Sequence, residues 1–261
     1  MINGLAAPWR AVNRLRRALY RAGILKSKRL PKPVISVGNI AAGGAGKTPA
    51  VIAIAEHLVG RGKRVAVLTR GYGARNEGVV TELDADRFGD EPVLIKKRVD
   101  KAEVIVGSNR YANASLANCD VYVLDDGFQH LEIARDLDIV IDVGDARVFR
   151  EGRSALRDAD VVIPRHVRVN AENLRGKRVF AFAGIANNAQ FFESLRAAGV
   201  ELTGTREFPD HHRYEPGDLP DGVTLVTTEK DAVKLNRDDI IAVPLDFIIP
   251  DEVFARIDAI V

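Results

Sequence analysis

From Pro31 onward the chain alternates short β-branched runs with longer stretches of helical periodicity. The runs at 34–37, 65–68, 104–106, 121–124 and 139–143 are apolar almost throughout, which is the pattern of strands covered on both faces. An apolar-rich helical stretch fills 48 to about 59 and is closed by Gly60. A further strand at 161–163 runs into Pro164. Strands alternating with helices predict a parallel sheet with helices on both faces. Near residue 165 the texture turns basic and polar, and a second strand–helix series follows: strand 179–183, helix 189–198, strand 224–227, helix 230–235, strand 241–245 and a terminal helix 251–260. The pattern predicts an α/β unit at 31–165 and a smaller α/β unit at 166–261 that closes over a cleft, with a region of different character at 1–30.

That first region reads as one amphipathic helix from Pro8 to about Ala22, ended by Gly23. Trp9, Val12, Leu15, Leu19 and Ala22 recur at three- and four-residue steps, while Arg10, Arg14, Arg16, Arg17 and Arg21 fill much of the remaining surface. Two readings stay open on pattern alone: a helix lying in a membrane interface, or a helix docked on the protein's own core. A nucleic-acid arm is disfavoured, because little aromatic interleaving accompanies the arginines. Charge sharpens the contrast between regions. The net charge is +2, yet residues 1–76 hold 15 Lys and Arg against one acid, Glu56, and the remainder holds 23 against 35. So basic a segment calls for an anionic partner. The single cysteine, Cys119, excludes an intramolecular disulfide and is expected to pack as a small apolar residue. No run of about 18 apolar residues is present, and the arginine-rich N-terminus lacks the h-region of a secretory signal, so a cytoplasmic protein is expected.

The strongest chemical signal lies between the first strand and the first long helix. Gly43, Gly44, Ala45, Gly46, Lys47 and Thr48 form a glycine-rich turn that opens a helix. Glycines let backbone N–H groups converge on phosphate oxygens, and the helix N-terminus adds its partial positive charge. Lys47 neutralises β/γ-phosphate charge, Thr48 offers a hydroxyl to Mg²⁺, and Pro49 sits where its missing N–H costs nothing. The usual motif has glycine at the position held here by Ala41. A phosphate loop of this kind needs a carboxylate at the end of a neighbouring strand, and the run ending in Asp125-Asp126 supplies one. One of the two acids binds the metal and the other positions substrate. His130 follows on the same edge and is expected to contact phosphate or sugar.

The ordered motifs resemble those of the tetraacyldisaccharide 4'-kinase family. They are Val37-Gly-Asn-Ile, Gly43-Gly-Ala-Gly-Lys-Thr-Pro49, Arg70-Gly-Tyr-Gly73, Gly89-Asp-Glu-Pro92, Arg110, Asp125-Asp-Gly-Phe-Gln-His130, Arg135-Asp136, Phe182-Ala-Gly-Ile185, Phe208-Pro-Asp-His-His212 and Thr228-Glu-Lys-Asp-Ala-Val-Lys234. The resemblance spans nearly the whole chain. It implies a P-loop NTPase-like kinase using ATP and Mg²⁺, whose acceptor is the 4'-hydroxyl of a tetraacylated glucosamine disaccharide 1-phosphate. It further implies work at the cytoplasmic face of an anionic inner membrane, with the N-terminal helix on that surface. Asp90 matches the family's acceptor-side base, and His211 or His212 is expected to pair with it. Tyr72, Arg110, Gln129 and His130 are the acceptor-side candidates. Arg157 matches a family arginine also assigned to substrate, whereas Asp158 stands where the family has glutamate, and the chain is short between Pro164 and Lys177. A monomer is the expected state. Two other classes use the same loop: a regulatory or metal-chaperone NTPase, and a nucleotide-binding membrane adaptor without catalysis.

Overall fold

The computed structural model describes residues 3–41, 43–144, 149–235 and 237–261, and within its first helix the side chains from Ala11 onward. That helix, α1 (Asn3–Arg21), leads into a sheet of seven strands. These are β1 (Val34–Asn39), β2 (Val65–Thr69), β3 (Gly78–Val79), β4 (Glu103–Val106), β5 (Val121–Asp125), β6 (Leu137–Asp142) and β7 (Val161–Pro164), in spatial order β3-β4-β2-β5-β1-β6-β7. All pairings are parallel except β3 with β4. The continuous apolar runs face two cores, as a doubly covered sheet requires. Ile35, Val37, Val65, Val67, Val121 and Val123 face α2 (Lys47–Gly60) and α4 (Asp90–Arg98). Val34, Ala66, Leu68, Ile105, Tyr122 and Leu124 face the opposite side, where Leu30, Cys119 and Ile133 complete the cover.

Helix α4 is absent from the periodicity reading. It is short, it follows the four-residue α3 (Ala85–Phe88) across Gly89 at φ 88°, and Pro92 lies in its first turn, where proline is tolerated. Its acids Asp90 and Glu91 stand at the N-terminal end and Lys96, Lys97 and Arg98 at the other, complementing the helix dipole. The one-turn α5 (Arg110–Asn113) begins after β4.

Beyond β7, β8 (Val167–Val169) leads to a second, all-parallel sheet of order β10-β9-β11-β12. It comprises β9 (Arg178–Ala183), α6 (Asn188–Ala197), β10 (Glu201–Glu207), β11 (Leu225–Thr228), the one-turn α7 (Glu229–Ala232) and β12 (Ile240–Val243). Strand β10 escaped the sequence reading because it is an edge strand, mostly exposed, with Gly204 at its centre. The expected strand 241–245 splits at Pro244: β13 (Leu245–Phe247) leaves the small sheet and pairs antiparallel with β8. The chain then returns to the large core. Helix α8 (Asp251–Asp258) buries Val253 and Ile257 among the α2 residues, Phe254 stacks on His57 at 4.3 Å, and His57 Nε2 lies 2.7 Å from Asp258.

Helix α1 docks by its polar face, the reverse of the ordinary amphipathic arrangement. Arg17 is buried in a bidentate pair with Glu151 (2.5 and 2.9 Å), stacks over Phe128 and donates to the Phe128 carbonyl at 3.0 Å. Arg17 and Arg21 both reach Asp158, and Arg16 donates to the Gln129 carbonyl. Val12 and Leu15 point outward and are 56% and 62% exposed. Trp9 and Arg10, also assigned to this helix by pattern, lie outside the described side chains. Among the described residues no helix is long and apolar enough to cross a membrane.

Candidate active site

Parallel pairing brings the chemistry to one edge. Strand β1 lies between β5 and β6, with Val37 in register with Asp125, so the turn leaving β1 and the acids leaving β5 emerge side by side. In that turn Gly43, Gly44 and Gly46 have φ values of 77°, 48° and 79°. At Gly46 a side chain is also excluded by space, because a Cβ there would stand 2.9 Å from Val167. Ala41 is buried, makes a bridge to Phe149 and is not among the positive-φ residues, so the glycine missing from the usual motif is not needed here. Ala45 is buried beneath the loop, and Thr48 lies in the first turn of α2. Lys47 rests between Asn39 Oδ1 (3.3 Å) and Asp126 (3.4 Å).

The adjacent acids differ sharply. Asp125 is buried and accepts from Thr69 Oγ1 at 2.9 Å through one oxygen, while its other oxygen is buried without a partner. Burial, with the Glu91 and Asp126 charges, pushes its carboxyl up to about 6. Asp126 sits in the left-handed region at φ 49°, which directs its carboxylate to Lys47 and to Arg150 at 2.7 Å. Burial raises its carboxyl, but those cations outweigh burial and hold it below the ordinary value.

Across the cleft the small sheet delivers a second cluster. His211 Nδ1 lies 2.9 Å from Asp90 Oδ2. Asp90, 6% exposed, is fixed in the first turn of α4, where its other oxygen accepts the Glu91 amide. His211 is held at φ 62°, a conformation uncommon for a residue with a side chain and frequent where function constrains the backbone. Lys230, from α7, sits among Glu91 (3.1 Å), Asp210 (3.0 Å) and Asp90 (3.9 Å). Burial would raise the Asp90 carboxyl, but the His211 hydrogen bond and the Lys230 charge bring it below the ordinary carboxylate range. The Asp90 hydrogen bond raises the imidazole of His211.

Of the remaining candidates, Arg110 is buried and donates to the Asp126 carbonyl at 3.3 Å. It makes no ion pair with a carboxylate among the described residues, and burial lowers its guanidinium. His130 is pushed down to about 4 by burial and by Arg110, so its imidazole is neutral, with Nε2 buried and unpartnered. Gln129 Nε2 donates to the Asn39 carbonyl, and Tyr72 lies with its ring 5.0 Å from that of His211. These side chains line one cavity of about 990 Å³ together with Lys47, Asp125, Asp126, His211 and the glycine turn. Three candidates are absent from that lining: Asp90 is buried and meets the cavity through His211, and the other two lie elsewhere. His212 bonds Asp218 at 2.9 Å and stacks on Phe208 at 4.5 Å, because the φ reversal at His211 sends the two imidazoles in opposite directions. Arg157, in a 3-10 turn (Arg153–Asp158), is exposed and outside the cavity lining, and its neighbour Asp158 is taken up by Arg17 and Arg21. Sequence reasoning missed Arg150 and Lys230. Lys230 stands inside a motif already singled out by resemblance; Arg150 carries no local signal.

A glycine turn feeding a helix, acids at the next strand end and an imidazole, backed by the buried Asp90, on the same cavity define an α/β kinase. Comparison with known proteins narrows this. The Tetraacyldisaccharide-1-P 4'-kinase family pattern matches residues 1–172 and 153–261, two pieces that overlap beside the segment that reads as short. The chain belongs to that family. A tetraacyldisaccharide 4'-kinase of Anaeromyxobacter dehalogenans is 39% identical over 88% of this chain and 79% of its own length. That of Geobacter metallireducens is 39% identical over 88% and 87%. The crystal structure of LpxK from Aquifex aeolicus in complex with ATP superposes with a TM-score of 0.85 at 29% identity, covering 99% of this chain and 98% of that one.

Proposed function

We infer that this chain transfers the γ-phosphoryl group of ATP to the 4'-hydroxyl of a tetraacylated glucosamine disaccharide 1-phosphate in lipid A biosynthesis. The observation that carries the reading is the Asp90–His211 contact, made between the two sheets, whose imidazole lines the same cavity as the glycine turn. In this reading the turn and the N-terminus of α2 hold the triphosphate, and Lys47 exchanges Asn39 and Asp126 for its β- and γ-oxygens. Asp90 orients the acceptor hydroxyl and takes its proton as the oxygen–phosphorus bond forms. His211 and Lys230 keep that carboxylate ionised and aimed. Arg110 meets the lipid's 1-phosphate, with His130, Gln129 and Tyr72 around the sugar.

Mg²⁺ fits the donor set present. The partnerless, buried oxygen of Asp125 is a costly arrangement unless a cation completes it, and the Thr48 hydroxyl stands at the loop end. Asp125 and Thr48 would hold the ion, which neutralises phosphate charge when bound; Asp126, engaged by Lys47 and Arg150, is left to position them.

The three regions take separate tasks. Residues 31–165 hold the nucleotide, 166–261 close over it, and 1–30 meet the cytoplasmic face of the inner membrane. The outward Val12 and Leu15, continued by exposed Ile24 and Leu25, support a helix lying in the lipid interface, with exposed Arg14 and Lys26 for anionic headgroups. Val12, Asn13 and Arg16 also line the cavity mouth, so acyl chains can stay in the interface while the sugar enters. The reading takes the chain as a peripheral monomer with no nucleic-acid partner. The test is incubation with ATP, Mg²⁺ and the lipid disaccharide 1-phosphate in detergent micelles. A new phosphate on the lipid supports the kinase; free phosphate alone would mark a hydrolase, and neither product an adaptor.

A further inference from the structure

Arg165 is not among the motifs that carry the family resemblance, and the site described so far gives it no role. It follows β7 directly, and its backbone amide donates to the Asp142 carbonyl of β6 at 3.0 Å, so its Cα is fixed to the edge of the large sheet. From there its side chain reaches the phosphate turn, where Nε donates to the Gly44 carbonyl at 3.0 Å. A guanidinium carries five N–H donors, and this contact uses one. Among the described residues no carboxylate pairs with Arg165, and the residue lines the cavity beside Gly43, Gly44, Ala186 and Asn187. It is half-buried, and burial lowers its guanidinium without an anion to offset it. Lys47, Arg150 and Lys230 in the same cavity are each matched to a carboxylate. A half-buried cation with donors to spare, fixed against the turn that cradles phosphates, lacks only its anion.

We propose that Arg165 is a cis-acting arginine for the transferring phosphoryl group, a catalytic residue that meets charge developing between the β- and γ-phosphates of the nucleotide. The inference rests on the kinase reading above. In the transfer step the acceptor oxygen bonds to the γ-phosphorus and gives its proton to Asp90. The bond from γ-phosphorus to the β–γ bridging oxygen breaks, and ADP leaves with the added negative charge on its β-phosphate. Lys47 approaches this charge from the start of α2, whereas Arg165 approaches from the β7 edge, on the side of the turn marked by Gly44. A planar fork anchored by Nε and offering its two terminal nitrogens suits an oxygen whose charge grows only in the transition state.

The test separates transition-state from ground-state contacts. In Arg165→Ala, turnover falls at least about 10²-fold, in line with the loss of a donor to developing charge. ADP affinity and the thermal midpoint stay near wild type, while affinity for ADP with aluminium fluoride and Mg²⁺, a mimic of the transferring phosphoryl, falls steeply. Arg165→Gln, which keeps an N–H for Gly44 but no charge, shows the same losses, and added guanidinium partly restores turnover to Arg165→Ala. The proposal is overturned if the alanine variant turns over like wild type. It is also overturned if the glutamine variant alone is normal, since the Gly44 contact would then be structural, or if ADP and ADP–aluminium fluoride affinities fall together. The aluminium fluoride measurement needs no lipid acceptor, so it decides the role of Arg165 even where the wild-type chain transfers nothing to lipid and the kinase reading itself fails.

Discussion

Asp90 and His211 form the contact on which the acceptor chemistry turns, and their environments move both groups in the same sense: the carboxylate is favoured and so is the imidazolium. Removing the carboxylate in Asp90→Ala is expected to lower the turnover number by about 10²–10⁴-fold with little change in ATP affinity, because the residue acts on the acceptor. Parallel kinetic and nucleotide-binding measurements check this. His211→Ala takes away the hydrogen bond that lowers the Asp90 carboxyl, so the carboxyl rises and the acid limb of the pH–rate profile moves to higher pH, with a smaller loss in turnover. An unmoved acid limb would remove His211 from that role. Lys47→Ala is expected to abolish most transfer at saturating ATP while melting like wild type, since among the described residues its ammonium pairs only with Asn39 and Asp126.

At the scale of elements, α1 is the most informative, because it is attached through arginine and presents leucine and valine to the outside. Arg17 and Glu151 are both nearly inaccessible, so Arg17→Ala leaves a buried carboxylate uncompensated. Breaking such a pair costs about 3–5 kcal/mol, and loss of protection in the α1 amides by hydrogen exchange would report the undocked helix. Leu15→Asp makes the opposite separation. It leaves every docking contact of α1 in place but is expected to weaken co-sedimentation with anionic vesicles without shifting the melting temperature. Unchanged sedimentation would reduce the outward stripe to ordinary surface. Replacing Arg17 or Arg21 is a poor test of membrane charge, because both serve the docking; Arg14, among the described side chains, is an exposed cation on that helix without a docking contact.

For the molecule as a whole, two connections govern how the sheets hold together. One is α8, which the chain sends back to the large core after finishing the small sheet; Ile257 is fully buried there. Ile257→Ala is expected to cost about 2–5 kcal/mol, measured by chemical denaturation, despite its place four residues from the end. The other is the polar bridge across the cleft. The raised imidazole of His211 adds stability below its unfolded value of about 6.5, and this is lost as pH rises through the higher folded value. The lowered carboxyl of Asp90 adds stability above about 3.9, lost as pH falls through its folded value. The bridge is therefore strongest between about pH 4 and 6.5. The difference in thermal midpoint between wild type and Asp90→Asn should be largest there and shrink on either side.

Sequence alone determined the features that depend on neighbours along the chain. Strands buried on both faces declare themselves as unbroken apolar runs, and the glycine turn declares itself because positive φ angles next to a helix start demand glycine at Gly43, Gly44 and Gly46. The acids after β5 were legible for the same reason: a strand ending in Asp125-Asp126 must present them at the sheet edge. The tertiary structure decided what depends on distant partners. Which acid is engaged by cations was set by where Lys47 and Arg150 converge, and which histidine meets Asp90 by a single backbone reversal at His211. Two adjacent residues of one type carry no sequence signal for which of them turns inward. Nor does an arginine stripe foretell that its buried member pairs with Glu151, 134 positions away. A periodicity fixes the faces of a helix, but which face is covered depends on the charge that folding brings against it.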